Sequence, residues 1–287
     1  MRTSLGIASA AAALVVALTA CGSAETTATT GADTGAAGKG SATEVLKVGA
    51  SPVPHAQILT FVKDRLAAKE GLNLEIVEFT DYVQPNVQLD EGRLGANFFQ
   101  HKPYLDDFNA SKGTRLSFLR PVHLEPLGLY SKKITDLGGL ARNATVALPN
   151  DATNLGRALR LLADNGLVTL KEGVGTAATE RDVTANPKGL RFQPLEAAQL
   201  PRSLEDVDAA VINGNYALEA GLKPAENALV LEKAEGNPYA NGLVAATGHE
   251  QDPRVAKLAK LLAGPEVRQF IERTYQGAVI PAAVPAA

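Results

Sequence analysis

The chain has 287 residues, 45% of them hydrophobic and 21% charged, with a formal net charge of -3. That is ordinary for an α/β protein and enough for two lobes of modest size. The acidic balance and the lack of a basic run argue against nucleic-acid binding, and the single cysteine, Cys21, excludes an internal disulfide.

Arg2 precedes an apolar segment, Ile7 to Leu18, that is too short to span a bilayer comfortably. Leu18-Thr19-Ala20-Cys21-Gly22 then resembles a bacterial lipobox, in which the chain is cut before the cysteine and the thiol is acylated. A plain secretory signal with a chance cysteine is the alternative. Residues 1–20 are therefore expected to be a lipoprotein signal peptide, with Cys21 as the lipidation site. Ser23 to Thr43 is Ala, Gly, Thr and Ser with almost no apolar bulk, so 21–44 reads as a lipidated flexible tether. Acyl chains contribute about 0.8 kcal/mol per buried CH₂, enough to hold the protein on a membrane surface.

The folded part starts near Val45. Val45 to Ala50 reads as a strand, Ser51 to His55 as a loop, and Ile58, Leu59, Val62 and Leu66 recur with helical spacing up to Gly71. Leu72 to Val77 marks a second strand, and this β-α-β start predicts a parallel sheet. A short helix is expected over Val87 to Glu91. Phe99 and His101 lie two apart, so in an extended chain they share one face. They are either a pocket wall or a core phenylalanine beside an exposed histidine. Leu116 to Leu119 and Val122 to Leu124 are two short strand-like runs, and Pro126 to Ser131 reads as a strand leaving the first lobe.

Ala144 to Leu148 is a buried strand, followed by Pro149-Asn150-Asp151-Ala152-Thr153-Asn154 and a helical run from Leu155 to Asn165-Gly166. A strand feeding a helix start is where α/β proteins bind ligands. Arg157 lies one turn into that helix and opposes the local dipole. It is either a solvated surface residue or an anion clamp, because its planar fork suits a carboxylate. Leu190 to Leu195 is a strand, and Ser203-Leu204-Glu205-Asp206 has the pattern of a helix start. Ala209 to Ile212 is a buried strand, after which Asn213-Gly214 is either a turn or an amide aimed into a cleft. Gly242 to Ala246 is a returning strand, and two helices follow, from Asp252-Pro253 and from Glu266. The chain thus leaves one α/β lobe, builds a second and returns. Lobe 1 is expected over 45–130 plus 239–287, lobe 2 over 131–238, and the ligand cleft between them.

Seven stretches carry a resemblance to a known family. They are Val48 to His55, Asp81 to Asn86, Ala96 to Tyr104, Pro149 to Arg157, Gln199 to Arg202, Val211 to Asn213 and Pro238 to Asn241. Together they resemble the NlpA family, the methionine-binding lipoproteins of bacterial ABC importers. The resemblance implies a type II periplasmic-binding-protein fold with two crossovers. It implies a monomer that is lipid-anchored on the outer face of the cell membrane and passes methionine to a permease and its ATPase. L-methionine is favoured, with D-methionine or a methionine dipeptide as variants. Carried over residue by residue, Tyr82, Phe99 and His101 surround the side chain, Arg157 clamps the carboxylate, and Asn213 and Asn241 meet the polar head. His55, His123, Glu125, Asn150, Asn154 and Tyr239 stand as their neighbours. Enzyme motifs are missing, so neither catalytic residues nor a cofactor is expected. The four histidines share no short ligand spacing, so no metal is expected either. A receptor for another small apolar amino acid or for a metal ion, or an enzyme on the same fold, is the alternative.

Overall fold

The computed structural model describes residues 44–282. The expected signal peptide, Cys21 and all but the last tether residue lie outside them. Two sheets organise the chain. In the first, Val45–Ala50 lies between the parallel strands Asn73–Glu78 and Ala96–His101. Asn241–Ala246 then pairs antiparallel with both Ala96–His101 and Leu116–Leu124, and Ile280–Pro281 closes the edge. In the second, Thr145–Pro149 lies between the parallel strands Arg191–Leu195 and Ala209–Ile212. Gly128–Tyr130 pairs antiparallel with Ala209–Ile212 and with Ala228–Leu231.

The two sheets follow one plan. Three parallel strands come first, and the fourth place goes to an antiparallel strand that has just crossed from the other lobe. Crossings at Glu125–Leu127 and between Leu231 and Asn241 join the lobes. The first crossing comes earlier than the expected boundary at 130, because Gly128–Tyr130 completes the second sheet instead of leaving the first. The two short runs after Leu116 form one strand, Leu116–Leu124, which tolerates Pro121 through register shifts against Asn241–Ala246.

Helices cover both faces of each sheet. In the first lobe, Ile58, Leu59 and Val62 of Gln57–Arg65 pack with Val255, Leu258, Val267 and Ile271 of the two C-terminal helices. In the second, Ala158, Leu159 and Leu162 of Ala152–Asp164 pack on Val146, Leu148 and Val211. Fully burying each such leucine contributes about 1.5–3 kcal/mol. The helix expected to start at Ser203 instead runs over Leu200–Ser203 and ends there, with Pro201 in its first turn. The Ser/Thr-x-x-acid arrangement lies instead at Thr179, whose N–H and hydroxyl both donate to Asp182 Oδ2 at 2.8 and 2.7 Å.

Candidate ligand-binding site

The site begins with two local arrangements. On the first lobe, Asn86, Asn97 and Gln100 form a buried amide network. Asn86 Nδ2 donates to Gln100 Oε1 at 2.9 Å, and Gln100 Nε2 donates to Asn97 Oδ1 at 2.9 Å. The network fixes strand Ala96–His101 against helix Gln84–Asp90, and a register shift at Phe99 lets Phe99, Gln100 and His101 all reach the cleft. On the second lobe, Asp151 caps helix Ala152–Asp164 by accepting from Asn154 N–H at 2.9 Å. The helix therefore starts three residues before the expected Leu155, and Arg157 projects from its second turn into the cleft.

Tyr82, Phe99, His101, Arg157, Asn213 and Asn241 all line one cavity between the lobes. It contains about 320 Å³ free of protein atoms, open space at its mouth included. Gln100, Glu125, Asn154, Gly214 and Asn215 complete the wall. Of the expected neighbours, Asn154 and Glu125 reach the cavity and Tyr239 stacks under Arg157, 4.5 Å from ring centroid to guanidinium carbon. Asn150 is exposed and lines a separate outer groove with Asp81 and Glu196.

Hydrogen bonds cross the cleft and set the polarity of each wall. His101 is buried, and burial together with the nearby Arg157 pushes its imidazole down to about 3. Its Nδ1 accepts from Tyr104 N–H at 3.1 Å, so the neutral ring donates from Nε2 to Asn154 Oδ1 at 3.2 Å. Asn213 Nδ2 donates to the same oxygen at 3.0 Å, while Asn213 Oδ1 is buried without a partner. Tyr82, whose phenol burial holds well above its usual pKa, donates to Asn215 Oδ1, and Asn215 Nδ2 is buried without a partner. Among the described residues these two amides thus offer one free acceptor and one free donor, both in the second lobe. A buried amide left this way costs about 1–3 kcal/mol until something binds it. Asn213 precedes helix Gly214–Glu219 and makes no side-chain cap, so its amide is free for the cleft.

Arg157 is not a lone cation. Its Nε donates to Glu232 Oε1 at 2.9 Å and its Nη2 to Glu232 Oε2 at 2.5 Å, with a further bond from Nη2 to the Glu125 carbonyl at 2.9 Å. One edge of the fork is therefore filled by a protein carboxylate, and Nη1 makes no hydrogen bond among the described residues. Glu232 was missed because strand Ala228–Leu231 went unread. The run Ala-Leu-Val-Leu before an acid was its signal.

Behind the cavity lie His55, His123 and Glu125, whose potential metal-ligand atoms fall within 4.8 Å of one another. Spacing in sequence could not show this, because a loop and a strand bring the two histidines together. His123 Nε2 and Glu125 Oε1 lie 2.6 Å apart, hydrogen-bonded to each other.

Two type II lobes closing on a pocket of converging amides and a buried arginine define a solute-binding protein. The chain belongs to the NlpA lipoprotein family, whose profile matches residues 46–283. It is 40% identical over 235 residues to a probable D-methionine-binding lipoprotein, MetQ, of Vibrio cholerae, covering 82% of this chain and 87% of that one. It superposes with a TM-score of 0.80 on a nutrient-binding protein from Burkholderia cenocepacia bound to methionine, at 44% identity, covering 83% of this chain and 100% of that one. A periplasmic substrate-binding protein of an ABC transporter from Coxiella burnetii gives a TM-score of 0.79 at 39% identity, covering 83% of this chain and 100% of that one.

Proposed function

We infer that this protein is the substrate-binding lipoprotein of an ABC importer and captures free methionine for delivery to a membrane permease. The observation that carries the reading is the cavity that unites Tyr82, Phe99, His101, Arg157, Asn213 and Asn241. Its aromatic side fits a thioether, which gains about 0.3–1.5 kcal/mol from each ring it meets. Its polar side fits a free amino acid, whose two charges must both find partners when water is excluded. The Arg157 Nη1 edge and Asn215 Nδ2 can donate to the carboxylate, and Asn213 Oδ1 can accept from the ammonium. The names of relatives and structural neighbours agree on methionine and on ABC transport.

In this reading the protein binds and releases its ligand without catalysis, acts as a monomer, and is held to the outer membrane face through Cys21. Titration calorimetry of ligand-stripped protein tests it. L-methionine should bind about tenfold or more tightly than leucine, from one to two added sulfur–ring contacts. Glutamine should bind more weakly still, and a tie among the three counts against the assignment.

A further inference from the structure

One carboxylate in the cavity has no part in the reading so far. Glu125 sits at the first crossing between the lobes, lines the cavity, and is only 4% exposed. Its two oxygens are unlike. Oε1 accepts from His123 Nε2 at 2.6 Å and lies 3.2 Å from His55 Nε2, although His55 is not aligned for a hydrogen bond. Oε2 takes no hydrogen bond among the described residues. The Glu125 carbonyl accepts from Arg157, so its backbone is tied to the cation of the site.

The surroundings favour an anion here. Burial opposes the charge on Glu125, but the two imidazoles and Arg157 outweigh it and hold the carboxyl below its usual range. Burial pushes His55 down to about 3, against the pull of the Glu125 carboxylate beside it. Gly214 of the second lobe comes close: a Cβ there would stand 2.7 Å from Glu125 Cβ. Residue 214 is therefore bare where the second lobe closes onto Glu125.

Charge bookkeeping then points to a ligand group. Glu232 already answers Arg157 through two hydrogen bonds, whereas Glu125 Oε2 has no partner among the described residues. A bound amino acid brings a carboxylate to the free edge of Arg157 and an ammonium that needs oxygen acceptors. Asn213 Oδ1 supplies one, as a neutral amide.

Resting on the methionine reading, we propose that Glu125 Oε2 receives the α-ammonium group of the bound amino acid, with His123 and His55 as positioning residues on Oε1. The site then selects for a free α-amino group, not only for a thioether acid. Glu125 also sits where the chain passes between lobes, so engaging the ammonium ties ligand capture to the hinge side of the cleft.

The test compares L-methionine with 4-(methylthio)butanoate, which keeps the carboxylate and thioether but lacks the amine. Both are titrated into the wild-type protein and into Glu125→Gln, with a thermal melt to verify folding. Wild type should prefer methionine by about 100-fold, the scale of a charged hydrogen bond in a buried site. Glu125→Gln should lose most of that preference, through weaker methionine binding and unchanged or tighter analogue binding. His123→Gln, which leaves the carboxylate in place but removes the imidazole, should lower the same ratio by a smaller factor. Equal loss for both ligands in Glu125→Gln means a structural role and overturns the proposal, as does a ratio unchanged from wild type. If wild type itself ignores methionine, the ligand assignment fails first and the proposal with it.

Discussion

Arg157→Ala should weaken L-methionine binding by about 100-fold or more. Among the described residues the substitution removes the one full positive charge lining the cavity, and breaking a buried charge pair costs about 3–5 kcal/mol. The structure adds a second consequence that the sequence could not give. Arg157 also binds Glu232 through two nitrogens and the Glu125 carbonyl through one. Its loss strands Glu232, whose side chain is 14% exposed and so partly able to hydrate. The free protein should therefore lose about 1–3 kcal/mol of stability as well. Arg157→Lys keeps the charge but cannot make the paired contact with Glu232, so it should restore only part of the affinity. Calorimetry with denaturant unfolding separates the two effects. Affinity unchanged in Arg157→Ala would remove this residue from its role.

Gly156→Ala should destabilise the protein although alanine is the better helix former. Within Ala152–Asp164 the substitution gains about 1 kcal/mol of helix propensity. Against that, the new methyl group would lie 2.3 Å from the Thr176 carbonyl oxygen and 3.0 Å from the Ala178 nitrogen. Both are backbone atoms, so no rotamer change relieves the contact. Overpacking of this kind costs about 1–3 kcal/mol, more where backbone must move. The helix can yield only by shifting, and the next residue along it is Arg157. Lower stability and weaker methionine binding should therefore appear together. A variant as stable as wild type with full affinity would show that the 175–178 turn moves freely.

Much of this architecture was legible because burial writes itself into the sequence. The runs Ala144 to Leu148 and Ala209 to Ile212 are apolar because their strands are covered on both faces, Val45 to Ala50 alternates exposed and buried at its start, and each became a strand within a residue or so. Phe99 and His101 both reach the cavity as expected, but through a register shift at Phe99 that plain strand alternation does not foresee. The open alternatives at Arg157 and Asn213 were decided by tertiary context. Arg157 is buried because Tyr239 and Glu232 cover it, and Asn213 is turned inward by Asn154.

What stayed hidden has a common cause. Glu232 pairs with Arg157 across 75 residues, and no periodicity announces such a partner. Asn215 is oriented by Tyr82 of the other lobe, 133 residues away in sequence. Ser203 to Asp206 carries a capping pattern but follows a helix that Pro201 had already started. The short strand Gly128–Tyr130 belongs to the second lobe because its partners lie there, a fact its own residues do not encode.

The central claim is that Arg157 and the facing amides hold an amino acid's charged end while aromatic rings enclose its sulfur-bearing tail. A crystal structure of the domain with L-methionine tests it most directly. The account predicts the carboxylate at the Arg157 Nη1 edge, the ammonium toward Asn213 Oδ1, and the thioether among Tyr82, Phe99 and His101. Methionine seated outside this cavity, or reversed so that its tail meets Arg157, would contradict it.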